Sequence, residues 1–307
     1  MNILLTGAVG QLGSELLPLL TGRGQVTATD RSIPTNTNQN WVAMDISDGG
    51  KLEILLNRLR PELIVNTAAY TAVDQAETDP VTACNINAEL PGRLARWANR
   101  NDARLIHYST DYIFNGKSAR PYSESDVPDP LNIYGDSKLA GERAIEASGC
   151  RHIILRTSWV YSAHGKNFVL NMLNLARRGL SLKVVDDQQG CPTWARNLAR
   201  ASNAVIEGWQ SSGIANHDGV YHYCDDRTLS WCEFARTIFS LAVSSGLLDR
   251  EPELTPVSAS EFPQPARRPH WSVLDTGKIG ASFNIGSASF YRSLQAVIDE
   301  IRARELI

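Results

Sequence analysis

Tyr134 and Lys138 stand four residues apart, a spacing that sets both side chains on one face of a helix beginning near Tyr134. A phenol titrates near about 10 and is a poor acid-base group at neutral pH. An adjacent ammonium, or the positive charge of an oxidised nicotinamide, favours its phenolate. Such a pair can give a proton to a carbonyl oxygen while hydride arrives at the carbon. Tyr-x-x-x-Lys by itself is common by chance, and its ordinary reading is an exposed helix pair. Here Ser109-Thr110-Asp111 closes an apolar run read as a strand, and ligands of open α/β sheets bind beyond the carboxyl ends of strands. Thr110 is placed there to donate to the same oxygen or to tune the phenol.

Gly7, Gly10 and Gly13 form GxxGxxG directly after a first apolar run and at the opening of a helical pattern. In that setting the glycines allow a sharp turn, a close approach of backbone to a pyrophosphate, and tight helix-strand packing. The helix start adds N–H donors and a positive dipole end. Asp30 closes the second run, where an acid holds the ribose hydroxyls of NAD, and Arg31 follows it, able to pair with the extra phosphate of NADP. The preference between NADH and NADPH is therefore open. Asp45-Ile46, at the end of a third run, would flank an adenine edge, and Asp45 could equally cap a helix beginning near Ser47.

These residues need a frame. Short apolar runs at Asn2–Thr6, Gln25–Thr29, Trp41–Ala43, Leu63–Thr67, Arg104–Ser109 and Ile153–Arg156 alternate with helical patterns at Leu12–Leu20, Lys51–Arg60, Pro80–Asn99 and Ser137–Ala147. That alternation predicts βαβ units and a Rossmann-type, doubly wound parallel sheet. Pro18 should kink the first helix. Beyond Trp159 the pattern changes to a helix at Asn167–Arg178, a strand at Leu182–Val185, a long helix at Ala195–Trp209 and a strand at Val220–Cys224, the last two able to rejoin the sheet. A helix at Trp231–Leu241, a proline-rich stretch at Glu253–Pro269 and a closing helix at Tyr291–Arg304 complete a smaller α/β lobe. The expected division is a dinucleotide-binding domain over 1–158 plus about 190–224, and a substrate-binding lobe over 159–189 plus 225–307.

The 307 residues carry a net charge of -3, with 43% hydrophobic and 21% charged residues. No basic cluster suggests nucleic acid, and no apolar run is long enough to cross a bilayer. Met1–Leu5 reads as a buried strand and not a signal sequence, so a cytoplasmic, small-molecule protein is expected. Cys84, Cys150, Cys191, Cys224 and Cys232 lack CxxC spacing and read as reduced thiols. His107, His152, His164, His217, His222 and His270 show no metal-binding spacing and read as structural or surface residues.

The stretches Met1–Gly13, Val65–Asp74, Ser109–Gly116, Tyr134–Lys138, Leu155–Tyr161, Asp187–Thr193 and Arg268–Ser272 resemble the dTDP-4-dehydrorhamnose reductase family and span nearly the whole chain. Trp271 departs from the family pattern, which often carries Asn there. The resemblance implies reduction of the 4-keto group of dTDP-4-dehydro-6-deoxy-L-mannose to dTDP-L-rhamnose by NADPH or NADH, and an association with magnesium for which no ligands can be named. It implies that Tyr134 is the proton donor, that Lys138 binds the nicotinamide ribose and lowers the tyrosine's pKa, and that Thr110 assists at the substrate oxygen. Gln11, Leu12, Asp30, Asp45, Ile46, Ala69, Tyr70 and Thr71 fall on cofactor contacts, and Thr110, Asp111 and Trp159 on substrate contacts, Trp159 offering a flat apolar face to the sugar.

Related 4,6-dehydratases carry an acid after the Thr-Asp pair, whereas Tyr112 cannot serve as a carboxylate base. Epimerases of the same fold lack the family stretches. A non-catalytic alternative is a regulatory subunit like the relative that partners methionine adenosyltransferase, and the intact Thr110, Tyr134 and Lys138 favour the enzyme. A monomer or homodimer is expected.

Overall fold

The computed structural model describes residues 1–35, 40–210 and 217–305. Strands β1 (Asn2–Thr6), β2 (Gln25–Asp30), β3 (Asn40–Ala43), β4 (Leu63–Asn66), β5 (Arg104–Thr110), β6 (Arg151–Thr157) and β7 (Gly219–His222) form one sheet in the order β7-β6-β5-β4-β1-β2-β3. All its pairings are parallel. Because successive side chains alternate faces, Ile3 and Leu5 reach the layer holding Leu16, Leu20, Leu198 and Ile206, while Leu4 reaches the opposite layer with Leu52, Leu56, Leu94 and Ile145. Burial on both faces explains why these strands read as continuous apolar runs.

The helices differ from expectation in instructive places. The first, Gln11–Thr21, runs through Pro18, which lies on an exposed face and does not end it. The second, Gly49–Leu59, is capped by Asp48, whose side chain accepts from the Lys51 N–H, so Asp45 is not its cap. Asp45 instead accepts from the Ser47 N–H and hydroxyl at 2.9 and 2.7 Å. The pattern expected as one helix from Pro80 is α-helix at Pro80–Cys84 and Leu90–Arg100 with a π-helical turn at Asn85–Glu89 between them. Asn132 accepts from the Gly135 N–H at 2.8 Å and starts the helix Ile133–Ala147 beside Tyr134, where the Tyr134–Lys138 spacing requires it, a turn before the helical pattern read from Ser137.

The smaller lobe packs helices Phe168–Arg177, Trp231–Ser244 and Phe290–Glu305 with a parallel ribbon of Leu182–Val185 and Leu254–Val257. Tyr161, Phe234, Phe239, Phe290 and Leu294 form its core. The proline-rich stretch thus supplies a strand and then returns over the sheet, where Arg268 pairs with Asp74 through contacts of 2.9 and 2.7 Å. Helix Gly277–Phe283 lies within the part of the chain assigned to the lobe, yet Ile279 and Phe283 pack into the core beneath the sheet. Among the described residues no helix is long and apolar enough to cross a membrane, and all five cysteines are free.

Candidate active site

A cleft of about 680 Å³ opens beyond the carboxyl ends of β1, β2, β4 and β5. It lies where the strand order reverses about β1, the place where open α/β sheets bind ligands. At its first end the chain leaves β1 through Gly7, whose φ of +67° and whose would-be Cβ 2.7 Å from the Ala68 nitrogen exclude any other residue. A Cβ on Gly13 would lie 2.7 Å from the Ala8 Cα. Gly10 is different, since its Cβ would meet only the Gly7 oxygen at 3.1 Å and otherwise project into open space. The helix from Gln11 has no acidic residue in its first turn and no side-chain cap. Its free N–H groups and dipole therefore make a cradle suited to an anionic group.

The expected cofactor residues divide. Leu12, Arg31, Asp45, Ile46, Ala69 and Thr71 line the cleft with the glycines. Asp30 does so too, while its carboxylate accepts from the Val9 N–H at 3.0 Å and the Arg31 N–H at 2.8 Å, steadying the glycine turn. The Gln11 side chain is committed to protein, accepting from the Ser162 hydroxyl and the Asn167 amide, each at 2.9 Å, which leaves its backbone to a ligand. Tyr70 is not in the lining. Its N–H and carbonyl are held by Asn87 at 2.9 and 3.0 Å, and Asn87 also donates to the Ser137 hydroxyl at 3.0 Å. Asn87 lies on the π-turn, a device that helical periodicity does not reveal.

At the other end of the cleft Tyr134 and Lys138 face inward from the helix Ile133–Ala147. Lys138 is 2% exposed, donates to the Tyr108 carbonyl at 2.5 Å and lies 3.3 Å from His107 Nε2. His107 Nδ1 meets the Asn66 amide at 3.0 Å, and Asn66 accepts from the Thr6 hydroxyl at 2.6 Å. This chain of side chains through β5, β4 and β1 fixes the lysine, and no sequence signal marked His107 or Asn66 for it. Thr110 donates to Asp111 at 3.0 Å and stands within hydrogen-bonding reach of the Tyr134 phenol. Thr110 and Asp111 sit behind the cleft wall, buried.

Burial governs the protonation of these groups. It pushes Tyr134 up to about 12, eased by the hydrogen bond from Thr110 and reinforced by the Asp111 charge. The expected lowering of the tyrosine by Lys138 is therefore not what the free protein presents, because the lysine is turned to Tyr108 and His107. Burial likewise pushes Asp111 up to about 7 and Lys138 down to about 8. His107 falls well below its ordinary value, first by burial and then by the neighbouring Lys138 charge, so it is neutral. Tyr134 is a neutral phenol with its proton in hand.

Trp159 has a left-handed backbone, φ +48°, and stacks on Trp231 with ring centres 3.5 Å apart and planes at 9°. A Cβ on Gly190 would lie 2.6 Å from its ring, so the indole is seated directly on that backbone. One face of Trp159 is thus already covered, and neither tryptophan lines the main cleft. Trp231 was invisible to sequence reasoning because its partner lies far away along the chain. Trp271, the departure from the family pattern, donates to the Arg120 carbonyl at 3.0 Å. For magnesium, the described residues gather no group of three or more His, Cys, Asp or Glu in one place.

The family of the RmlD substrate binding domain matches residues 1–303. The dTDP-4-dehydrorhamnose reductase of Escherichia coli (strain K12) is 37% identical over 302 residues, 98% of each chain, and that of Burkholderia thailandensis is 39% identical over 93% of this chain and 94% of its own. The chain belongs to the dTDP-4-dehydrorhamnose reductase family. The crystal structure of the family's Bacillus anthracis member, in complex with NADP, superposes with a TM-score of 0.86 at 32% identity, covering 97% of this chain and 99% of that one. A UDP-glucose 4-epimerase of Thermotoga maritima, 20% identical with a TM-score of 0.83, shares the fold. Family membership accounts for the match through both the sheet domain and the lobe, which the glycine turn and Tyr-x-x-x-Lys alone would not require.

Proposed function

We propose that this chain reduces the 4-keto group of dTDP-4-dehydro-6-deoxy-L-mannose with NADPH or NADH to give dTDP-L-rhamnose, feeding polysaccharide synthesis. One observation carries the reading. Thr110, Tyr134 and Lys138 converge at the carboxyl end of β5, in a chain related over its whole length to reductases of that name. The reduced nicotinamide, when bound, supplies hydride. Tyr134 holds the proton destined for the keto oxygen, kept on the phenol by burial until that oxygen arrives. Thr110 stands within hydrogen-bonding reach of the phenol, where it helps to orient Tyr134 and to stabilise the phenolate left after transfer. Lys138, clamped by the Tyr108 carbonyl, is set to meet the ribose hydroxyls and to stabilise the phenolate left after transfer.

The glycine turn with Gln11 and Leu12 is assigned to the pyrophosphate, Asp30 and Arg31 to the adenosine ribose, Asp45 and Ile46 to the adenine, and Ala69 and Thr71 to the wall beneath the nicotinamide half, with Tyr70 between them held back by Asn87. The sugar nucleotide is assigned to the lobe over 159–189 plus 225–307, with Asp111 and Trp159 at the sugar. The dinucleotide domain is 1–158 plus about 190–224, onto which helix Gly277–Phe283 folds back. The chain acts as a monomer or homodimer in the cytoplasm. The test is a turnover assay with that keto-sugar and NADPH or NADH, following loss of the reduced nicotinamide signal. Turnover supports the reading. Cofactor binding without oxidation of either nicotinamide overturns it in favour of a regulatory subunit.

A further inference from the structure

We propose that Lys166 is a cofactor-binding residue whose ammonium pairs with the pyrophosphate at the glycine turn, tying the substrate lobe to the bound dinucleotide. The proposal rests on the reading that this cleft takes NAD(P)H. Three cationic side chains line it, Arg31, Lys138 and Lys166. Lys138 is sunk at the nicotinamide end and committed to the Tyr108 carbonyl. Arg31 follows Asp30 at the ribose end. A dinucleotide pyrophosphate carries two negative charges, and the helix start opposite it offers N–H groups and roughly half a charge. Lys166 is the lining cation beside that start.

Its position is fixed by the sequence around it. Gln11 donates through Nε2 to the Lys166 carbonyl at 3.4 Å while its Oε1 accepts from Ser162 and Asn167. The Ser14 hydroxyl meets His164 Nε2 at 2.7 Å. Gly165, at φ +74°, brings the backbone so close that a Cβ would lie 2.9 Å from Gln11 Cγ. Asn167 then caps the lobe helix Phe168–Arg177 by accepting from the Leu170 N–H at 3.1 Å. The segment 162–167 is therefore bolted to the first turn of the glycine helix, leaving the Lys166 side chain exposed at the cleft rim with no ion pair assigned to it among the described residues. A phosphate seated between Gly10 and Lys166 would join the two lobes electrostatically.

The experiment measures binding of NADPH, ADP-ribose and AMP to the full chain as wild type, Lys166→Ala and Lys166→Arg, with the thermal midpoint of each ligand-free protein recorded. ADP-ribose retains the pyrophosphate and AMP lacks it. Lys166→Ala is expected to weaken NADPH and ADP-ribose about tenfold, with AMP unchanged, and Lys166→Arg to stay within about threefold of wild type. The Ala effect should shrink as salt rises. An Ala variant with an unaltered thermal midpoint and NADPH affinity within about twofold of wild type overturns the proposal, as does an equal loss of AMP. Failure of the wild-type protein to bind any dinucleotide would overturn the underlying cofactor reading, whereas failure to turn over the keto-sugar would leave this one standing.

Discussion

At the glycine end of the cleft the surface offered to a ligand is mostly backbone and open space rimmed by exposed charges, while at the Tyr134 end it is a half-buried phenol backed by buried side chains that hold one another. Gly7 and Gly13 are forced by contacts of their would-be Cβ atoms with neighbouring backbone, and the donors they expose are N–H groups at a helix start. Tyr134, Lys138 and Thr110 are placed instead by hydrogen bonds running through β5 and its neighbours. The first end recognises charge and shape without titrating. The second sets proton affinities, because groups removed from water shift far more readily than groups at a rim.

The largest expected break in this comparison is Tyr134→Phe. Loss of the proton donor should lower turnover by about a hundredfold to ten-thousandfold while NADPH affinity holds, since the ring still packs. Retention of more than roughly a tenth of the wild-type rate at saturating substrate would place the proton elsewhere. Gly13→Ala should fail in the opposite way, losing about 1–3 kcal/mol of stability and much of its cofactor affinity, because the new methyl meets backbone at Ala8 that cannot step aside. Urea unfolding and an NADPH titration read both effects. Wild-type values in both would show that the turn yields.

The pH dependence sharpens the contrast. Burial lowers Lys138 from 10.5 to about 8, so kcat/KM should fall as pH rises through about 8 and the ammonium is lost. The stability contribution of the same residue has the opposite sign. Between about 8 and 10.5 the unfolded chain holds this proton and the folded chain does not, so that contribution rises with pH across the window and is lost as pH falls below it. A rate decline that simply followed thermal unfolding would refute the assignment. The smallest effects belong to the Asp30–Arg31 pair at the ribose end, where charges are screened. Asp30→Ala should disfavour NADH, and Arg31→Ala NADPH, each by no more than about fivefold in kcat/KM. Equal changes with both cofactors in both variants would mean that this pair does not read the ribose.

The sequence by itself determined the alternation of strands and helices, the place of the glycine turn and the setting of Tyr134 and Lys138 one turn apart on a single helix. Each depends on neighbours within a few residues: the apolar period, the room left by a missing Cβ, one turn of helix. It also carried the family, through stretches that fall in both lobes. What only the tertiary structure decided is where side chains distant in sequence spend their interactions. Lys138 turns to His107 and the Tyr108 carbonyl, so burial, and not the lysine, governs Tyr134. Trp159 is met by Trp231, Tyr70 is held through Asn87 on a π-turn, and the helix Gly277–Phe283 leaves the lobe for the core beneath the sheet. Local spacing fixes local geometry, whereas desolvation and packing depend on which distant segments the folded chain brings to the same place.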